Sequence, residues 1–155
     1  MQRPRINPEI SQVALFDGLS NQELRRVSAM TTRLELPAGR VLVRQGAPGR
    51  EFIVLIDGEA QVLRDDRRIA MRGPGEHFGE MALVDHQPRN ATVIASTPVV
   101  IEVISGRDFL DLLHGVPDLA VRIATTIAER RTQLGAETGD ATRREFALAT
   151  AGTAT

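Results

Sequence analysis

The residues whose types and spacing could do chemistry lie between Met71 and Ala91. Gly73-Pro74-Gly75 leads through Glu76-His77-Phe78 to Gly79-Glu80-Met81-Ala82-Leu83, and Pro88 introduces Arg89-Asn90-Ala91-Thr92. The stretch from Gly79 to Leu83 can form a single helical turn. Such a turn offers unpaired backbone N–H groups and the positive end of a dipole. Gly79 lets a ligand approach the backbone closely. Arg89 follows a proline and leads into a strand, so its stem is held on a rigid element. A planar guanidinium in that position suits bidentate contact with a phosphate. Ionised Glu80 can only accept hydrogen bonds, so it suits sugar hydroxyls and would repel a phosphate. A carboxylate and a guanidinium on one loop therefore read as a sugar and a phosphate recognised side by side. The plainer alternative makes Glu80 a helix-start acid and Arg89 a solvated loop charge.

Composition excludes other chemistries. All 19 basic residues are arginine; lysine, cysteine, tryptophan and tyrosine are absent. Schiff-base and phosphate-loop lysine chemistry is ruled out. So are disulfides, thiolate nucleophiles and cysteine metal ligands. The three histidines, His77, His86 and His114, show no metal-ligand spacing, so no metal is expected. A cupin-type metalloenzyme would need several ligands on adjacent strands, and His77 and His86 read instead as surface loop residues. No nucleophile–base arrangement stands out, so no enzyme is expected. The arginine bias fits a GC-rich bacterial genome. The net charge is -1 and the arginines are dispersed, so no nucleic acid is expected to bind through this chain alone. No apolar run approaches a membrane span and no signal peptide is evident, so a cytoplasmic protein is expected.

The elements that must position the loop follow from periodicity. Residues 1–11 read as a flexible arm. Ser20 and Glu23 form a capping box for a helix carrying Leu24, Val27 and Met30. From about Thr32 to Ile104 the period is two, with short runs at 32–36, 41–44, 52–56, 59–64, 67–71, 91–95 and 99–104. This is an all-β barrel or sandwich pattern. Asp57-Gly58 reads as a hairpin, Asp65-Asp66 as a tight connection and Gly73-Pro74-Gly75 as a type II turn. Ser105 with Asp108 caps a helix that Gly115 ends, and Pro117 opens another running to about Leu134. Val116, Ala120, Ile123, Ile127 and Leu134 form one apolar stripe interrupted by Arg130. The stripe fits packing on the sheet, a moving lid or a dimer seam equally well. Residues 135–155, rich in Ala, Thr and Gly, read as a tail or linker, with a short helix at 143–149. The domain expected is 12–134.

Gly79-Glu80-Met81-Ala82-Leu83 followed by Pro88-Arg89-Asn90-Ala91-Thr92 closely resembles the phosphate-binding cassette of cyclic nucleotide-binding domains. That family includes regulatory subunits of cAMP-dependent protein kinase, the catabolite activator protein and cyclic-nucleotide-gated channels. The resemblance extends over roughly residues 12–134 and takes in Phe16–Ser20, Gly46, Gly58 and the two helices after the strands. It implies an antiparallel β jelly-roll barrel with an N-terminal helix and two C-terminal helices. It implies that Glu80 accepts from the ribose 2′-hydroxyl and Arg89 pairs with the exocyclic phosphate. Backbone N–H groups of Gly79, Glu80, Met81, Ala82, Asn90 and Ala91 would complete the cradle.

In relatives a hydroxyl after the arginine tends to accompany cGMP preference. Asn90 stands there, and cAMP is the ligand favoured, with cGMP open. Some relatives cap the base with an aromatic from the last helix. Here Phe146 lies far along the tail, so an aliphatic cap, Leu134, is expected. The function implied is a non-catalytic regulatory sensor, without cofactor, whose C-terminal helices move when cyclic nucleotide binds. A homodimer through helix 117–134 would fit the stripe. The alternatives are a ligand-free scaffold or dimerisation module of the same fold, or the sensor half of a truncated transcription regulator. Its helix-turn-helix would have to follow residue 134.

Overall fold

The computed structural model describes the backbone of residues 5–145 and the side chains of residues 5–132. Asn7 caps a helical turn, α1 (Pro8–Ser11), accepting from the Glu9 amide. A 3-10 turn (Ala14–Phe16) and α2 (Asn21–Met30) follow. The expected capping box is present in full: Ser20 Oγ accepts from Glu23 N at 3.1 Å and Glu23 Oε1 accepts from Ser20 N at 2.9 Å. The arm expected over residues 1–11 differs in its second half. Ile10 is fully buried and Asn7 donates to the buried Glu102 at 2.9 Å, because α1 covers the helix-facing side of the strands.

Eight strands follow: β1 (Thr31–Leu36), β2 (Val41–Val43), β3 (Glu51–Asp57), β4 (Ala60–Arg64), β5 (Arg67–Arg72), β6 (His77–Phe78), β7 (Thr92–Ala95) and β8 (Val99–Ser105). They form two antiparallel four-stranded sheets, β1-β8-β3-β6 and β2-β7-β4-β5, which are not closed into a barrel. Strand periodicity explains the two cores. Ile53 and Leu55 on β3, with Ile101 and Val103 on β8, face the core between the sheets. Phe52, Val54 and Ile104 point the other way, onto a second core shared with the helices. Phe52 stacks on Phe109 at 4.3 Å between ring centroids.

Two turn expectations fare differently. Asp65 and Asp66 both adopt positive φ, 52° and 63°, in the β4–β5 hairpin. Asp57-Gly58, by contrast, joins no hairpin. Both edges of β3 are taken by β8 and β6, so β4 must cross to the other sheet. Gly73-Pro74-Gly75 is the turn predicted, with Gly75 at φ 89° and Glu76 N donating to Gly73 O at 3.2 Å.

Between β6 and β7 lies α3 (Glu80–Asp85), and α4 (Gly106–Gly115) and α5 (Pro117–Glu145) follow the strands. Ser105 Oγ caps α4, accepting from Asp108 N at 3.1 Å. Pro117 opens α5, where its missing N–H costs nothing. The helix runs on past residue 134, into the stretch read as a tail, to Glu145. Of the stripe, Val116, Ile123 and Ile127 are buried in the helix-side core, joined there by Leu119; Ala120 is half-buried, and the side chain of Leu134 is outside those described. Arg122 ties α5 to the N-terminal region, donating to Leu15 O at 2.8 Å. Val121, on the outer side, is 65% exposed. Among the described residues no helix is long and apolar enough to cross a membrane.

Candidate functional site

Gly79, Glu80, Met81, Ala82, Arg89, Asn90 and Ala91 all line one cavity of about 370 Å³. Its apolar wall comes from β2, β4, β5 and β7 through Val43, Val62, Ile69, Ala70 and Val93, and from Phe78 on β6. The volume is within the range of small-ligand sites. The expected cap, Leu134, lies outside the residues whose side chains are described, as does Phe146.

The cassette folds tightly because two glycines allow it. Gly79 stands at the N-cap of α3 with φ 105°, in the left-handed region. A Cβ there would come within 2.6 Å of both Arg89 Nη1 and the Glu51 carbonyl. A Cβ on Gly49 would collide with that of Ala82. The β2–β3 loop also clamps the backbone of Arg89: Arg89 N donates to Ala47 O and Gly46 N to Arg89 O, each at 2.8 Å.

The Arg89 guanidinium is buried. Nη1 donates to Gly79 O at 3.0 Å and Nη2 to Glu51 O at 2.6 Å. Of its five N–H donors, two are thus used and three remain. Burial lowers its pKa, partly offset by the Glu51 and Glu80 carboxylates, yet an arginine stays charged. Asn90 Nδ2 rests 3.5 Å from Met81 Sδ.

Glu80 is fully buried at the first position of α3. Its Oε1 accepts from Nη1 of Arg130 on α5, and the same guanidinium also donates to His77 O. Its Oε2 has no hydrogen-bond partner; His77 Nδ1 lies 3.7 Å away. Burial would raise this carboxyl, but the His77 ring, the Arg130 charge and a backbone N–H outweigh it and hold it below its ordinary value. At 3.7 Å His77 is beyond hydrogen-bond reach, so Arg130 is the closer partner. A second pair, Arg131 with Asp85, also ties α5 to α3.

Three residues at the site were not singled out from sequence. Arg130 interrupts the apolar stripe, and that is its signal: a charge on a buried face needs a buried partner. His77, expected on a surface loop, is instead buried on β6, its ring 5.2 Å from that of Phe52. A two-residue strand is too short to show a period. Arg72, at the end of β5, also lines the cavity. Among the described residues no three His, Asp or Glu side chains gather to hold a metal.

The fold and cavity define a ligand-binding β-sandwich that presents a guanidinium and a buried acceptor side by side. The pattern of the cyclic nucleotide-binding domain family matches residues 33–115, and the chain belongs to that family. A cyclic nucleotide-gated potassium channel of Rhizobium etli is 36% identical over 123 residues, which are 79% of this chain and 34% of the channel. The cyclic AMP receptor protein of Thermus thermophilus is 30% identical over 121 residues, 75% of this chain and 56% of that protein. The chain therefore spans about a third of the one and just over half of the other. The solved regulatory domain of Toxoplasma gondii PKA with cAMP has a TM-score of 0.68 and 26% identity, covering 76% of this chain and 48% of that one.

Proposed function

We propose that the chain is a non-catalytic regulatory module that binds a cyclic nucleotide, cAMP in the first instance, in the cavity between α3 and the wall of β2, β4, β5 and β7. The observation that carries this reading is the pairing of a buried, unpartnered carboxylate oxygen on Glu80 with a fixed guanidinium on Arg89. A buried acceptor without a donor is costly, and a ribose 2′-hydroxyl would supply that donor. Arg89 would donate its remaining N–H groups to the phosphate. The first-turn amides of Glu80, Met81 and Ala82 have no acceptor within the helix and would join it, with those of Asn90 and Ala91. The named relatives support cAMP as the ligand.

Ligand would be felt by α5 through Arg130, which already shares the Glu80 carboxylate. A ligand moves the helix only by the difference in its affinity for the two helix positions. A homodimer through helix 117–134 would use the outer face around Val121, since the inner stripe is buried.

A thermal-shift panel tests the reading. Saturation at a hundred times Kd adds about 2.7 kcal/mol and raises Tm with the logarithm of concentration. No shift with either cAMP or cGMP would establish the ligand-free scaffold instead.

A further inference from the structure

Among the described residues the two sheets end in four edge strands, β1 and β6 in one and β2 and β5 in the other. An open edge carries unpaired N–H and C=O groups on which another strand can add, and short strands, bulges or charge blunt such edges. Three of the four are blunted. β6 has two residues, and β2 has three with an irregular register against β7. β5 is longer but carries Arg67, Arg68 and Arg72, so a second β5 laid antiparallel along it would set Arg67 against Arg72. β1 is the exception. It pairs with β8 over all six residues without a break in register, and Thr32, Arg33, Leu34 and Glu35 are all exposed.

The side chains on this edge say what would pair with it. Arg33 and Glu35 are two residues apart, hence on one face of the strand, and Arg33 Nη1 donates to Glu35 Oε1 at 2.9 Å. Arg33 Nε donates to Glu9 of α1 at 3.1 Å, so three of the five guanidinium N–H donors remain. Consider a second β1 laid antiparallel along the first, with the two-fold axis at Leu34. Arg33 then faces the partner's Glu35, and Glu35 faces the partner's Arg33. The four charges alternate in sign around the axis, each with an opposite charge beside it and another across. Opposite charges directly across an antiparallel pair are favourable and like charges are not. Moving the axis one residue either way sets Arg33 against Arg33 or Glu35 against Glu35, so the charges also select the register.

We propose that β1 is a self-association edge, to which a second copy of this chain adds so that two β1-β8-β3-β6 sheets become one. β1 lines no part of the ligand cavity, so this assembly stands apart from the proposed ligand and leaves its site unoccupied.

Sedimentation velocity on the full chain tests it. The wild type should form a dimer whose fraction rises with concentration. Arg33→Glu and Glu35→Arg each put like charges across the axis, so each should sediment as a monomer where the wild type is dimeric. An equimolar mixture of these two variants restores opposite charges at every facing pair and should restore the dimer. The double variant, Arg33→Glu with Glu35→Arg, should dimerise as the wild type does, and it carries the test should a single variant not fold. A wild type that is monomeric at every concentration overturns the proposal. So does failure of both the mixture and the double variant to dimerise. A dimer that none of these changes weakens, but that Val121→Asp abolishes, overturns it in favour of the outer face of α5.

Discussion

Acidity acts on Glu80 in a definite direction. Burial opposes its ionised form, but His77 and Arg130 together hold its carboxyl below the ordinary value. A carboxyl depressed in the folded state adds stability that is complete above its unfolded pKa and disappears as pH falls through the lower folded value. Melting temperature should therefore fall more steeply in the wild type than in Glu80→Gln between about pH 5 and pH 3. Parallel curves from circular dichroism would remove Glu80 from that role. Arg89 has a different signature. Arg89→Ala removes charge-assisted bonds worth roughly 1.5–3 kcal/mol each, so affinity for cAMP should drop about a hundredfold or more. Near-wild-type affinity by calorimetry would sink the assignment.

At the scale of elements, α3 and α5 are joined by two arginine–carboxylate pairs, Arg130 with Glu80 and Arg131 with Asp85. The first is buried, so removing one partner strands a charge away from water. Arg130→Met should cost about 3–5 kcal/mol in denaturant unfolding, and adding Glu80→Gln to it should recover part of that loss. Additive losses would show that the two residues do not act as a pair. The helices were legible where their signals are local. Ser20 with Glu23, and Pro117 at the start of α5, each announce an end within four residues. The strands were legible from their period, and α3 from its glycine. What could not be read was non-local. Arg130 and Glu80 lie fifty positions apart in the chain, and no spacing rule joins them. Asp57-Gly58 has the chemistry of a hairpin turn, but whether the strands on either side pair depends on which neighbours have already taken their edges. Seven of the site residues, from Gly79 to Ala91, could be named because the cassette motif carries them; Arg72 and His77 lie in the same stretch, but burial sets their places, Arg72 in the cavity wall and His77 beside Glu80, and no spacing states it.

Across the whole molecule, ligand binding and helix position should be visible together. Saturating cAMP should slow amide exchange in α3 and along the stretch 119–130 of α5 by more than the global stabilisation alone gives to β3 and β8, at the centre of both cores. Uniform protection everywhere would point to global stabilisation without a response in α5. The reason for expecting β3 to respond less is also the most general lesson of its geometry. Phe52 and Val54 answer to the helices, while Ile53 and Leu55 answer to the opposite sheet. One strand thus carries two independent histories, in alternating letters. Substitutions at Phe52 and Val54 are compensated largely within α4, α5 and the N-terminal turns; the two faces meet at α3, where Met81 belongs to the helix-side core and also lines the cavity. Those at Ile53 and Leu55 can be compensated across the sandwich without disturbing the helices. A fold built this way can exchange its output machinery on one side of a wall while the chamber on the other side keeps its shape.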